Sequence, residues 1–409
     1  MLIIALFFKP LLGCTVVLSS KPKQKIKNKH HSVISLFTCG MGMDLGFEKG
    51  GFNTVYSNDI TKFACNTIRK NKPNTPCDEG DITDISSNHI IEKSGLQQDE
   101  VDVIIGGPPC QSFSTAGMRR GFDDKRGEAL LEFIRVISEI RPKFFVFENV
   151  PGLKSMAKKH ISFYDRISMD KKKLSKDQQH GSLFAEVLEK FCGISGYKID
   201  WKILNAADYG VPQKRKRLIL IGSRIADPKI IFNEIGKQSK WADPEKAEKE
   251  NKIPWKTLKD ALSGLDDEEK ECTKFPKWGK YLKHVPPGGC WVDLPKKIQT
   301  EAMGGAADTD DPKRKGKQGG RRGFFRRLSW DAPAPTLVTS PSQMGTCICH
   351  PDEDRPLTVR EYARIQGFPD DWEFVGSMSE KYRMIGEAVP VDLAKIIAKA
   401  ISKYLDNTK

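Results

Sequence analysis

Residues 106–114, which read GGPPCQSFS, place a cysteine in a turn directly after a predicted strand. Two glycines let the backbone bend sharply, and two prolines stiffen the turn just before Cys110. Ligands of open α/β sheets bind outside the carboxyl ends of the strands, so this turn presents its thiol to a pocket. A lone cysteine is most often a small buried apolar residue, but this setting favours a nucleophile.

A carboxylic acid follows a second predicted strand, at residues 144–147. Glu148 and Asn149 end this apolar run, and one predicted helix at 128–140 connects it to the strand before Cys110. Because a single helical crossover usually joins neighbouring parallel strands, Cys110 and Glu148 are expected at the same edge of the sheet. A nucleophile with an acid beside it suits covalent catalysis with proton transfer.

A basic turn at residues 208–217 reads DYGVPQKRKR. Arg215 and Arg217 alternate as the chain enters a predicted strand, so both guanidinium groups are expected on one side. Such groups suit a phosphate or a base oxygen. The alternative interpretation is a solvated basic turn.

A glycine-rich turn at residues 35–46 (SLFTCGMGMDLG) follows the first predicted strand and opens a helix. This pattern is typical of a nucleotide-type cofactor site, although alone it is weakly specific. Asp59 comes just after the second strand, where an acid commonly holds ribose hydroxyls. Asp81 follows in GDIT.

The strands that must position these residues are nearly continuous apolar runs, typical of strands buried on both faces of a parallel sheet. They lie at residues 33–37, 53–57, 101–105, 144–147, 200–204 and 218–221. Amphipathic helices alternate with them, the clearest ending ahead of Pro142. We therefore predict an α/β fold, a doubly wound sheet with helices on both faces.

Composition indicates the kind of partner. The 409 residues carry 67 Lys and Arg against 53 Asp and Glu, a net charge of +14. This surplus favours nucleic acid ahead of an anionic membrane. Ten cysteines without a CxxC exclude a zinc ribbon and suit a reducing cytosol. The segment TCICH at 346–350 is interpreted as a strand rather than a metal-ligand set.

Four segments are predicted along the chain. Residues 1–31 are interpreted as a disordered tail without catalytic residues, or as an over-called start site, because their apolar part is too short and interrupted to span a membrane. Residues 32–224 form the catalytic domain. Residues 225–340 form a smaller irregular domain, which contains the most basic run at 312–327. Residues 341–409 return to the catalytic domain.

Together these motifs resemble the DNA (cytosine-5)-methyltransferase family over about residues 33–405, in the family's order. The GPPCQSFS, ENV and QxRxR elements are highly specific in combination. RPLTVREYARIQGFPDDWEF at 355–374 is similar to the family's last conserved block, and RRLSWDAPAPTL at 326–337 to the block that closes its recognition domain. The resemblance implies a Rossmann-like S-adenosylmethionine-dependent sheet with a target-recognition domain at 225–340.

The resemblance also implies roles. Cys110 would add to carbon 6 of cytosine, Glu148 would hold N3 and the exocyclic amine, and Arg215 would hold O2 with Arg217 in support. S-adenosylmethionine would be the methyl donor, with no metal. Its expected pocket residues are Phe37, Gly40, Gly42, Asp59, Ile60, Asp81, Ile82, Pro108, Leu130, Ala388 and Val389.

The implied chemistry is coherent. Thiolate addition turns the ring into an enamine whose carbon 5 attacks the sulfonium methyl, and loss of the carbon 5 proton then expels Cys110. A stacked base is out of reach, so the cytosine must flip out of double-stranded DNA. A monomer in the bacterial cytoplasm, associated with DNA, is the simplest expectation. A restriction endonuclease would be a functional partner without a stable complex.

Four positions depart from the family's usual pattern. Cys39 and Met41 stand where glycine is often found, and Ser35 replaces the acid often present in the first strand. Glu387 replaces asparagine in the segment GEAV. The change to Glu removes two N–H donors and adds a charge, which bears on cofactor affinity and on loop anchoring.

Three alternatives stay open. An RNA cytosine methyltransferase would share the scaffold, and transfer of label to RNA rather than DNA would reveal it. A DNA-binding protein with a decayed site would form no covalent adduct with fluorinated cytosine. A nicotinamide-dependent oxidoreductase would bind nicotinamide, but it leaves GPPCQSFS and the basic domain unexplained.

Overall fold

A central sheet of seven strands organises the chain. The computed structural model describes residues 30–109, 125–159, 174–303 and 323–408, with backbone alone for 125–127. Expectations for residues 1–29, for Cys110 and for most of the 312–327 run fall outside these ranges. The strands are β1 His31–Leu36, β2 Phe52–Asp59, β3 Cys77–Glu79, β4 Val103–Gly106, β5 Phe144–Asn149, β6 Lys198–Asn205, the two-residue β7 Gln213–Lys214, which lies outside the sheet, and β8 Lys216–Ser223.

The strand order is β3-β2-β1-β4-β5-β8-β6. Strands β1 to β5 run parallel, whereas β8 is antiparallel to both β5 and β6. The expectation of a parallel sheet is therefore wrong for β8. Its connection to β6 holds a short 3-10 turn, Ala206–Tyr209, and no crossover helix, so the chain returns in the opposite direction.

Helices cover both faces of this sheet, as predicted. One face packs against α1, α6 and α12, and the other against α3, α4 and α5. The helices are α1 Gly42–Lys49, α2 Lys62–Asn71, α3 Ser87–Ser94, α4 Lys125–Ile140, α5 Ser182–Cys192, α6 Pro228–Lys237, α7 Pro244–Ala247, α8 Leu258–Leu262, α9 Lys296–Met303, α10 Val359–Gln366, α11 Met378–Glu387 and α12 Val391–Asn407.

The boundaries of the sheet domain differ slightly from those expected. His31 is the first residue of β1 and is buried, so the sheet starts one residue before 32. Helix α6 buries Ile231 and Phe232 in the sheet's core, because its amphipathic pattern offers one apolar face. The irregular segment therefore begins after α6 rather than at residue 225.

A small separate core holds the irregular segment together. It joins Leu282, Trp291 and Phe325 with the buried Cys347 and Cys349. Cys349 forms only isolated bridges to Arg327 and Pro356, so TCICH makes no regular strand, although its last four residues, 347–350, are buried. Among the described residues, no group of His, Cys, Asp and Glu could hold a metal, and no helix is long and apolar enough to cross a bilayer.

Candidate active site

The end of β5 and the start of β8 bring a carboxyl group and a guanidinium group together. Strand β5 pairs with β8 in antiparallel register, and Glu148 lies opposite Ile219. Nε of Arg217 lies 2.7 Å from Oε1 of Glu148, and both side chains are almost fully buried. Burial raises the pKa of Glu148, although Arg217 and Arg215 oppose that rise. The carboxyl is therefore biased toward its protonated form, which can donate a hydrogen bond.

The backbone that leads to Cys110 is fastened beside Glu148. Strand β4 is the parallel neighbour of β5, so the predicted adjacency of the two strands is confirmed. Asn149 donates from Nδ2 to the carbonyl of Pro108, at 3.2 Å. A Cβ on Gly107 would lie 3.0 Å from Oε2 of Glu148, so glycine here lets the turn lie against this carboxyl without displacing it. Cys110 itself lies outside the described residues.

Arg215 occupies a different environment from Arg217. Its side chain is fully buried, and its two terminal nitrogens donate to the carbonyls of Leu337 (2.9 Å) and Gly386 (2.6 Å). Arg215 lies between β7 and β8, at the entry to the strand that contains Arg217, and both guanidinium groups lie near enough to Glu148 to lower its pKa. Because Arg217 contacts Glu148 directly and Arg215 contacts backbone carbonyls, we expect Arg217 rather than Arg215 to bind a base oxygen, the opposite of the assignment expected from the sequence.

Two buried glutamines, which sequence reasoning missed, join this turn to the C-terminal segment. Nε2 of Gln213 donates to Oε1 of Gln366 at 2.9 Å, and the N–H of Leu337 donates to Oε1 of Gln213 at 3.0 Å. Nε2 of Gln366 donates in turn to the carbonyls of Ile385 and Ala388. Gln213 lies in the motif QKRKR and Gln366 in EYARIQGF, so their place inside specific motifs is the signal that could have identified them.

The loop between β1 and α1, residues 37–41 (the β1–α1 loop), has an unusual backbone. Phe37, Cys39 and Met41 have φ values of 56°, 50° and 65°, in the left-handed region that favours glycine. Gly42 follows, where a Cβ would lie 2.5 Å from the carbonyl oxygen of Val389. The two predicted cofactor segments therefore meet at Gly42, which must be glycine for them to pack.

Asp59, at the end of β2, holds the β1–α1 loop. Its Oδ2 accepts from the N–H of Cys39 at 2.8 Å, and its Oδ1 accepts from the N–H and hydroxyl of Thr61. The N–H of Gly80 donates to the carbonyl of Asp59, which brings the GDIT segment to the same place. There Asp81 caps the 3-10 turn Ile82–Asp84 and Ile82 is buried. The predicted residues thus gather at the carboxyl ends of β1, β2 and β3.

The remaining predicted cofactor residues fit an adenosyl group. Ile60 is 63% exposed, beside the carboxylate of Asp59. An apolar side chain left in water next to an acid suits a ligand that combines a flat ring with hydroxyls. Leu130 is buried in the core that Phe37 packs against, and Pro108 is buried in the turn after β4. Gly40 lies against Met384 and Phe374.

Comparison with known proteins agrees with this geometry. The sequence profile described as C-5 cytosine-specific DNA methylase matches residues 31–170 and 171–403. The Type II methyltransferase M.Sau96I of Staphylococcus aureus is 39% identical over 93% of this chain and 77% of its own length. The Type II methyltransferase M.Eco47II of Escherichia coli is 40% identical over 93% of this chain and 81% of its own length.

Solved structures show the same fold. A putative DNA modification methyltransferase from an Escherichia coli prophage matches with a TM-score of 0.59 at 24% identity, covering 92% of this chain and 99% of its own. The methyltransferase EhMeth of Entamoeba histolytica matches with a TM-score of 0.58 at 16% identity, with the same coverage. These likenesses confirm the predicted Rossmann-like α/β fold.

The profile covers nearly the whole chain, and the bacterial relatives are well above 30% identical over most of their length. The nicotinamide-dependent alternative is left without support. The chain belongs to the C-5 cytosine-specific DNA methylase family and is a methyltransferase that acts on cytosine in DNA.

Proposed function

We propose that this chain methylates carbon 5 of a flipped cytosine within one short duplex DNA sequence, as the modification enzyme of a Type II restriction–modification system. The contact of Glu148 with Arg217, beside the Pro108 turn that leads to Cys110, carries the proposal. The two bacterial relatives described above, M.Sau96I and M.Eco47II, are named Type II methyltransferases. A cognate endonuclease would share the recognition sequence without forming a stable complex.

Three side chains of this site divide the work on the base. The thiolate of Cys110 adds to carbon 6, which makes carbon 5 nucleophilic. Glu148, biased toward protonation, donates to N3 and takes up charge as the ring becomes an enamine. Arg217 lies against Glu148 and holds O2, while Arg215 positions the turn through its carbonyl contacts.

S-adenosylmethionine supplies an electrophilic methyl group on a sulfonium. Asp59 is the residue we expect to accept from the ribose hydroxyls, and Ile60 to cover one face of the adenine. Gly40 and Gly42 let the β1–α1 loop lie close to the C-terminal segment at 388–389. Asp81, Ile82, Phe37 and Leu130 complete this proposed pocket.

Duplex DNA would lie between the sheet domain and the irregular segment. The net charge of +14 favours the phosphate contacts that offset the few kcal/mol needed to flip a base. A monomer suffices, since one strand is methylated at a time. Action in the bacterial cytoplasm agrees with the bacterial origin of the relatives.

The test is to incubate the purified chain with unmethylated DNA and S-adenosylmethionine and to read 5-methylcytosine at base resolution. Methylation at one short recurring sequence is the expected result, and it also supplies the specificity. Unmethylated RNA, incubated under the same conditions, serves as a parallel substrate. Label in RNA alone, or no label in either with a folded protein, would contradict the proposal.

A further inference from the structure

Two of the positions that depart from the family pattern lie in contact, although 348 residues separate them in the sequence. Sγ of Cys39 lies 3.8 Å from Oε2 of Glu387 and 3.7 Å from the carbonyl oxygen of Met384. Each residue was identified separately from the sequence. Their contact indicates that the two changes belong together.

Cys39 occupies a backbone conformation that glycine would adopt without cost. Its φ is 50°, and the neighbouring left-handed residues are Phe37 and Met41. A side chain in this region is strained and persists only where surrounding contacts fix it. The native loop therefore depends on contacts that a Gly-x-Gly loop would not need.

Contacts at both ends of Cys39 supply that restraint. Its N–H donates to Asp59, and its thiol points to the end of α11, where Glu387 stands. Nε of Arg383 donates to Oε1 of Glu387 at 3.0 Å, which orients the carboxylate so that its other oxygen faces the thiol. Asparagine is one methylene shorter, so its amide would not reach as far.

The thiol is suited to donate to this carboxylate. Burial first, and then the charge of Glu387, raise the pKa of Cys39 well above its usual value. The sulfur therefore keeps its proton at neutral pH, and a protonated thiol is a weak hydrogen-bond donor. The charge that Glu387 adds to this segment thus has a function at the loop.

We propose that Cys39 and Glu387 form a clamp that positions the β1–α1 loop for S-adenosylmethionine. The clamp rests on the proposed function, because that function assigns the loop to the cofactor. Glu387 acts through Cys39 and is a positioning residue. Glycine at 39 together with asparagine at 387 would then be the alternative combination, in which the loop does not need this contact.

A double-mutant cycle tests the clamp by the affinity for S-adenosylhomocysteine, measured calorimetrically on the full chain. Glu387→Asn in the native background is expected to weaken binding about fivefold, whereas in Cys39→Gly it changes binding less than about twofold. Glu373→Gln, an exposed carboxylate of the same C-terminal segment, is the matched control and should bind as the native chain does. An equal loss in both backgrounds, or no loss in either, would overturn the clamp.

A second pair of variants approaches the contact from the loop, in case the Glu387 variant does not fold. Cys39→Ser keeps a donor and should bind within about twofold of native, whereas Cys39→Ala keeps the strain, loses the donor and should weaken binding about fivefold. Equal binding by these two would also overturn the clamp. A native chain that binds no S-adenosylhomocysteine would instead contradict the proposed function.

Discussion

At the scale of single residues, the site depends on a buried acid held by one arginine. Glu148 and Arg217 are each about nine-tenths buried and lie 2.7 Å apart. Two polar side chains at this depth are strongly coupled, so the loss of one leaves the other buried without its partner. Arg215, two residues before Arg217, contacts backbone carbonyls instead. We therefore expect Arg217 to act on the base and Arg215 to stabilise the fold around it.

Glu148→Gln should lower the single-turnover rate of methyl transfer by about 10²- to 10⁴-fold, because an amide can neither give nor take the proton. The amide nearly matches the carboxyl in shape, so DNA affinity should change little. Rapid-quench assays with labelled S-adenosylmethionine would measure the rate, and gel shifts the affinity. A rate within threefold of native would show that Glu148 is not the acid.

Substitution of Arg217 should mainly lower turnover, whereas substitution of Arg215 should mainly lower stability. Arg217→Lys loses a charge-assisted hydrogen bond worth about 1.5–3 kcal/mol, which lowers kcat by roughly 10- to 100-fold. Arg215→Met leaves two buried carbonyls without donors and should lower the free energy of unfolding by about 2–4 kcal/mol. Turnover and urea denaturation, measured on both variants, test the assignment. The opposite pattern would restore the roles expected from the sequence.

At the scale of elements, helix α1 carries a buried acid beneath the β1–α1 loop. Asp44 is 1% exposed, and the hydroxyl of Ser35 only partly offsets the cost of burying its carboxylate. Burial raises the pKa of Asp44 to about 7. The unfolded pKa is about 3.9, so the folded chain keeps a proton that the unfolded chain releases between these values. This stabilisation is complete below pH 4 and is lost as the pH rises to about 7.

Asp44→Asn removes this titration and keeps the shape of the side chain. Its free energy of unfolding, relative to the native chain, should therefore improve between about pH 4 and pH 7 by about 1–4 kcal/mol and then level off. Urea denaturation at several pH values measures the difference. A difference that is constant with pH would show that Asp44 does not titrate in this range.

Local patterns predicted most of the sheet, because burial on both faces leaves long apolar runs. Strand β3 was not predicted from the sequence, because Cys77–Glu79 is short, polar and only half-buried. The direction of β8 is set by a connection too short for a helix, and apolar runs carry no information on direction. Helix α6 was assigned to the irregular segment because Lys and Pro around it outweighed its apolar face.

In the candidate site, too, local patterns predicted part of the arrangement and could not predict the rest. Motif spacing predicted that Cys110 and Glu148 would follow neighbouring strands, and the adjacency of β4 and β5 confirms that order. The environment of Arg215 depends on Leu337 and Gly386, more than a hundred residues away. Contacts over such separations, including the Gln213–Gln366 pair, are decided by tertiary packing and leave no local pattern.

At the scale of the whole molecule, we expect the sheet domain to hold the chemistry and the irregular segment to offer a second surface for DNA. Arg327, inside the basic run, is buried and donates to several carbonyls, including those of Leu282 and Val285. It therefore supports the small core rather than DNA. The cations of the run that precede residue 323 are the ones we expect to contact phosphates.

Changing Lys313, Arg314, Lys315 and Lys317 to Gln together should weaken DNA binding and flatten its dependence on salt. Each phosphate contact contributes about 0.9 to the slope of log affinity against log salt, so the slope should fall by about 2–4. The matched control changes four exposed lysines on helices of the sheet: Lys93, Lys229, Lys237 and Lys399. Fluorescence anisotropy at several salt concentrations measures both, and equal slopes would refute the placement.

Covalent trapping tests the central claim most directly. Duplex DNA that contains 5-fluorocytosine at the methylated position retains the thioether, because fluorine cannot leave as the carbon 5 proton does. With S-adenosylmethionine present, the native chain should form a denaturation-resistant adduct with this DNA, and Cys110→Ala should bind the DNA but form none. The account would be contradicted if Cys110→Ala still formed the adduct. It would also be contradicted if the native chain formed no adduct with DNA that carries 5-fluorocytosine in the sequence it methylates.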